Sequence, residues 1–114
     1  MEDCIFCKII KGEIPSKKVY EDDKVIAFHD INPEAPVHVL VIPKEHIQSA
    51  NAINEENASI VAHIFVVINK IVKELGIDES GYRVLTNIGK DGGQTVPHMH
   101  FHILGGKELP IKLA

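Results

Sequence analysis

The residues best suited to chemistry are concentrated late in the chain, where Val96-Pro97-His98-Met99-His100-Phe101-His102-Ile103-Leu104 alternates three of the seven histidines with apolar residues. This period of two predicts a strand with one polar and one buried face. On such a strand same-face neighbours stand ~6.6 Å apart and the outer pair ~13 Å apart, so the three imidazoles cannot share one metal ion held at ~2 Å. The row must therefore divide its labour. A neutral imidazole with one nitrogen hydrogen-bonded through its proton is a competent nucleophile at the other. Attack on the phosphorus of an ester, anhydride or amide gives a covalent phosphoramidate, which splits a hard displacement into two easier ones. A second, protonated imidazole then stabilises phosphoryl charge or protonates a leaving amine.

Three other stretches carry candidate chemistry. Cys4 and Cys7 are the only cysteines, and on a helical turn residues three apart face the same way. The pair can reach one zinc ion, which needs two further ligands from elsewhere. A thioredoxin-like redox centre would follow a strand and open a longer helix, and no strand precedes Cys4, so zinc is favoured over redox chemistry. The loop Ile88-Gly89-Lys90-Asp91-Gly92-Gly93-Gln94-Thr95 frees backbone amides to approach an anion and adds the side-chain donors of Gln94 and Thr95. His38 interrupts the apolar run Val37–Ile42. A lone buried histidine is usually a hydrogen-bonded core residue, and beside a strand bearing three more it joins a shared polar network. No Gly-x-Ser-x-Gly elbow and no Walker loop is present.

The elements that must position these groups follow in chain order. Asp3 is the expected cap of a short helix through Cys4–Lys11, closed by Gly12. Val19–Glu21, a turn at Asp22-Asp23, and Val25–His29 read as a hairpin. Asp30–Pro36 is a loop, and Val37–Ile42 is a strand stopped by Pro43. Asn54 caps a long helix from Glu55, with Ile60, Val61, Ile64, Phe65, Ile68, Ile71, Val72 and Leu75 as its core face and Gly76 as its end. Val66 and Val67 widen that stripe enough to suggest either a partner surface or deep burial, and His63 is taken as structural or solvated. Tyr82–Asn87 is the next strand. Lys107–Ala114 forms a short tail.

Composition narrows the function classes. A chain of 114 residues is long enough for one cored domain, 1–114, and short enough to gain from oligomerisation. With 25% charged and 45% hydrophobic residues and a net charge of −4, it has the make-up of an ordinary soluble protein. Lacking a basic patch, it is a poor binder of nucleic-acid polymers, although a single nucleotide held by backbone amides is compatible. The start of the chain has no secretion-signal pattern and no run approaches the ~18 apolar residues of a membrane span, so a cytoplasmic setting is expected.

His98-Met99-His100-Phe101-His102-Ile103-Leu104 has the form His-φ-His-φ-His-φ-φ, with φ apolar, and resembles the histidine triad superfamily. Cys4–Lys11, Phe28–Ile31, Ala35–Lys44 and Gly92–Val96 extend the resemblance over nearly the whole chain, toward the branch that hydrolyses purine nucleoside phosphoramidates. The resemblance implies an α+β fold with a central antiparallel sheet of about five strands, one long and one short helix, and a homodimer with a sheet continuous across the interface. It implies His100 as the nucleophile that becomes nucleotidylated, His102 at the α-phosphate and leaving group, and His38 completing their polar network. It places Asp30 and Ile31 on the ribose and base side of a purine nucleotide, and Asn87, Gly93, Gln94 and Thr95 on the phosphate side. Bacterial relatives and the similar galactose-1-phosphate uridylyltransferases imply a structural zinc on Cys4, Cys7, His46 and His98, with no cofactor in the chemistry itself. The tryptophan-bearing tail of much of that branch has no counterpart here, since the chain contains no Trp. Beside phosphoramidate hydrolysis stand two other functions: a nucleotide-binding regulatory module with little turnover, and dinucleoside polyphosphate hydrolysis.

Overall fold

The structure, a computed structural model, describes residues 4–111. Its first element is the short helix α1, Ile5–Ile10. The expected cap Asp3 lies outside the described residues, and among those described Cys4 fills the capping position, its Sγ accepting the Cys7 amide at 3.2 Å. Gly12 closes the turn at φ 79°, a left-handed conformation that a side chain would strain.

Strands β1 (Lys18–Glu21) and β2 (Val25–His29) form the expected hairpin, followed by β3 (Val37–Pro43). The hairpin turn is set by Asp22, whose Oδ1 accepts the amides of Lys24 and Val25 at 2.8 and 2.9 Å. Its Oδ2 takes bonds from the Tyr20 hydroxyl at 2.8 Å and from His63 Nε2 at 2.7 Å. Burial works to raise this carboxyl, yet the four donors outweigh it and hold Asp22 well below the usual carboxylate range. Of the two roles open to His63, structural or solvated, the first applies: it ties the hairpin to the long helix.

That helix, α2, spans Ser59–Glu74. Asn54 does accept the amides of Glu56 and Asn57, at 2.8 and 3.1 Å, but residues 55–58 are consecutive turns, so the α-helix starts later than the expected Glu55. Its core face follows the expected stripe at Ile64, Ile68, Ile71 and Val72, with Ile60, Val61 and Leu75 packed at the margin, but it takes in Val67 and leaves Phe65 and Val66 45% and 51% exposed. Phe65 keeps one edge-to-face contact with Phe101 at 5.8 Å. Burying five such side chains contributes on the order of 10 kcal/mol.

Strands β4 (Tyr82–Leu85) and β5 (Phe101–Gly105) complete a five-stranded antiparallel sheet in the order β1-β2-β3-β5-β4. Val25, Ala27, Val39, Val41, Phe101 and Ile103 face α2, while Ile26, Phe28, Leu40 and Ile42 face α1. The sheet is thus covered on both sides, and the histidines of the row lie on the α1 side. No helix among the described residues is long and apolar enough to cross a membrane.

One expectation about the row needs correction. The strand begins at Phe101, so His98 and His100 precede the ladder. Pro97 offers no amide, the His98 amide turns back onto the Val96 carbonyl at 2.8 Å, and the Met99 amide reaches the Ile47 carbonyl at 2.6 Å. The in–out alternation survives this bend, with Met99 buried in the α2 core.

Candidate active site and metal centre

The three histidines of the row meet different partners, and the hydrogen bonds assign each ring nitrogen. The His98 side chain is fully buried, and its Nε2 donates to the Pro43 carbonyl at 2.8 Å. Its Nδ1 lone pair is thereby aimed at Cys4 Sγ, 3.3 Å away, and Cys7 Sγ, 3.5 Å away. His46 Nδ1 is 3.2 Å from Cys7 Sγ, and the His46 and His98 rings meet at 87° with centroids 4.8 Å apart. The four ligand atoms lie within 4.8 Å of one another. A tetrahedral ion with bonds of ~2.0–2.3 Å sets its ligands roughly 3.3–3.8 Å apart, so this two-cysteine, two-histidine set is positioned to bind a metal and suits zinc. The Cys7 thiol is pushed up to about 11, first by burial and then by the adjacent Cys4. The Cys7 thiol keeps its proton until a cation stabilises the thiolate, and metal binding releases that proton.

His100 faces the other way. Its Nδ1 donates to the His98 carbonyl at 2.7 Å, leaving the Nε2 lone pair free. Burial pushes its pKa down, so the ring is neutral at neutral pH. The Thr86 hydroxyl donates to the His100 carbonyl at 2.8 Å and fixes the backbone from the β4 side.

His102 carries the opposite tautomer. The Glu34 amide donates to His38 Nδ1 at 3.0 Å, so the proton of buried His38 sits on Nε2. That Nε2 donates to His102 Nδ1 at 2.9 Å, which leaves His102 with Nε2–H. The register explains the meeting: Leu40 opposes His102 and His38 opposes Leu104, so the two histidines are diagonal neighbours on one face. Burial, then the nearby His100 and His38, lower the His102 pKa to about 4. Asp30 Oδ2 stands 3.5 Å from His38 Nε2. The ligand atoms of Asp30, His38 and His102 also lie within 4.8 Å of one another, but a metal on His38 Nε2 would require its proton and set Nδ1–H against the Glu34 amide. His38 and His102 are instead a hydrogen-bonded pair with the Asp30 carboxylate beside them.

His100 and His102 open on a cleft of about 330 Å³ that also takes in Asp30, Ile31 and Thr95. Its apolar wall comes from residues that the reading of the sequence did not assign to a site, namely Ile5, Phe6 and Ile9 of α1 with Ile14, Phe28 and Leu40. The available signal was α1 itself, which carries more apolar residues than one core-facing side requires. Ile5 is 46% exposed and Ile31 is 91% exposed at the rim. The neighbouring space of about 760 Å³ shares Asp30 and Ile31 with this cleft and is itself lined by His38.

The glycine loop is braced from within. Asn87 Nδ2 donates to the Gly92 carbonyl at 2.8 Å, and the Gly93 and Gln94 amides bond to Lys90 and Gly89 carbonyls. The Gln94 amide group accepts from the Gly89 amide and donates to the Gln48 and Val96 carbonyls. Thr95 alone of the four expected phosphate-side residues lines the 330 Å³ cleft; Asn87, Gly93 and Gln94 do not.

Residues 11–109 match the HIT domain, and the chain belongs to the HIT family. Over 99% of its length it superposes on 98% of a histidine triad protein from Clostridium difficile, with a TM-score of 0.96 and 59% identity. A HIT family hydrolase from Clostridium thermocellum is 55% identical, with a TM-score of 0.98 covering 100% of this chain and 99% of that one. A histidine triad nucleotide-binding protein from Candida albicans is 40% identical with a TM-score of 0.81, covering 98% and 86%.

Proposed function

We propose that the protein is a nucleotide hydrolase of the purine nucleoside phosphoramidase type, working through a covalent nucleotidyl-His100 intermediate. The carrying observation is the pair of opposite tautomers in one cleft, a free Nε2 lone pair on His100 and an Nε2–H on His102. The lone pair attacks the α-phosphorus, forming N–P as the bond to the leaving amine breaks, while His102 Nε2–H donates a hydrogen bond to the departing nitrogen, which takes its proton from solvent. Water then displaces His100 and releases the nucleoside monophosphate. The apolar wall around Phe6 and Phe28 suits a purine, and the Asp30 carboxylate suits ribose hydroxyls. Asn87, Gly93, Gln94 and Thr95 form the phosphate side, with Thr95 in contact and the other three holding the loop's shape.

Zinc on Cys4, Cys7, His46 and His98 would supply a closed structural tie and take no part in the reaction. A single HIT domain over 1–114 acts as a homodimer, with β4 as the edge strand that extends the sheet and Phe65 and Val66 as the exposed apolar surface beside it. Steady-state release of AMP and GMP from their phosphoramidates tests the reading, beside a diadenosine polyphosphate and with His100→Ala as the control. Phosphoramidate turnover that disappears in the variant is the expected result. Binding of AMP without turnover, or preference for the dinucleotide, would refute it.

A further inference from the structure

We infer that the four-ligand centre positions the nucleophile as well as tying down the N-terminus. This inference rests on the reading of His100 as the attacking residue. The orientation of His100 depends on one hydrogen bond, from its Nδ1 to the His98 carbonyl at 2.7 Å. That carbonyl belongs to a segment outside the sheet ladder, so no strand pairing fixes it.

The segment is anchored on either side of that carbonyl by the Met99 amide on the Ile47 carbonyl and by the Thr86 hydroxyl on the His100 carbonyl, and at His98 by the side chain. Its Nε2 is bonded to the Pro43 carbonyl, and its Nδ1 faces Cys4 and Cys7. Without a cation, the Nδ1 side offers only weak S–H donors. With one, it is a metal–nitrogen bond. A second brace comes from the same source, because Phe6 lies between the two cysteines in sequence and meets both rings edge-on. Its ring centroid is 5.9 Å from that of His98 and 5.0 Å from that of His100. Cys4, Cys7 and His46 are in this sense positioning residues, acting on His100 through His98 and Phe6. The consequence is a nucleophile whose tautomer and aim depend on metal occupancy, with the sheet and the His38–His102 relay unaffected.

The test uses the full chain in its zinc-loaded form, with ¹⁵N-labelled histidine. His46→Gln removes the ligand most remote from the cleft, and His46→Cys keeps a four-ligand set. Metal content, far-ultraviolet circular dichroism, the His100 ring-nitrogen signals and the initial rate of nucleotidyl-histidine formation are read for each, and for wild type before and after chelation. Metal loss is expected to leave the sheet signal intact, replace the single His100 Nδ1–H signal with a mixture of tautomers, and slow adduct formation on the order of 10²-fold. His46→Cys and re-added zinc restore both. An unchanged His100 tautomer and rate in metal-free protein would overturn the inference. Loss of the sheet signal on chelation would do the same, because the centre would then support the whole fold. Zinc-loaded wild type that forms no adduct would instead refute the hydrolase reading, while the tautomer signal still decides this one.

Discussion

Replacing His38 with Phe isolates the relay. The side chain is buried, so a ring of similar volume fills the space while both of its hydrogen bonds are lost, the one from the Glu34 amide and the one to His102 Nδ1. Each bond contributes about 1 kcal/mol, and Glu34 lies on an exposed loop where water replaces the partner, which puts the total near 2 kcal/mol. For a chain of this size the melting temperature should fall by roughly 8 °C. Catalysis suffers more. His102 loses the donor that fixes its tautomer, and with it the Nε2–H aimed at the departing nitrogen, at a cost of at least about 10²-fold. Rapid-quench kinetics with two substrates separate the effects. With adenosine 5′-phosphoramidate the amine must be protonated, and the full loss appears. With the corresponding phosphorofluoridate the leaving group needs no proton, and the loss shrinks below about tenfold. Equal losses on both substrates, or no loss on the phosphoramidate, would refute the relay.

Acid should weaken the fold through the same residue. A histidine held at about 4 in the folded state binds its proton later than in the unfolded chain, whose value is about 6.5. Stability is therefore full above pH 6.5 and declines as pH falls toward 4, losing about 2 kcal/mol between pH 7.5 and 5 from His102 alone. Urea midpoints at the two pH values measure this, and equal or greater stability at pH 5 would contradict it. Phe6→Ala removes a ring that packs on Phe28 at 5.7 Å and on both histidines. Because the ring borders a cleft that water can enter, the cost should sit near the low end for such truncations, about 3 kcal/mol by denaturant titration, with AMP affinity falling as well. Gly92→Ala sets a methyl group against the Ile88 backbone, where the carbonyl oxygen has no room to move aside. It should cost about 1–3 kcal/mol and disorder the loop before Thr95, visible as faster amide exchange at Gly89 and Gln94.

The sequence reveals the site's chemistry more fully than its walls. The alternation from His98 to His102 marks the residues and their shared side because a two-residue period survives even where Pro97 bends the chain out of the ladder. The tautomers cannot be read that way, since they depend on partners distant in sequence: Pro43 for His98 and the Glu34 amide for His38. The apolar wall is hidden for a related reason. Ile5, Phe6 and Ile9 are local helix residues until α1 is packed on the sheet, and only then do they face the same space as Asp30. Gln94 has the donors expected of a phosphate ligand, but the Gln48 and Val96 carbonyls take them up. On α2 the periodicity marks Ile64, Ile68, Ile71 and Val72 correctly but also includes Phe65, at the edge of the apolar stripe, and the branched run Val66-Val67 gives no local reason to bury one and expose the other.

The most direct test is to mix the protein with adenosine 5′-phosphoramidate, quench within the first turnover, and map the adduct by peptide mass spectrometry. One adenylyl group on His100, appearing and decaying at rates compatible with steady-state turnover and missing in His100→Ala, is the predicted result. Turnover with no adduct, or with the group on His98 or His102, would contradict the mechanism at its centre.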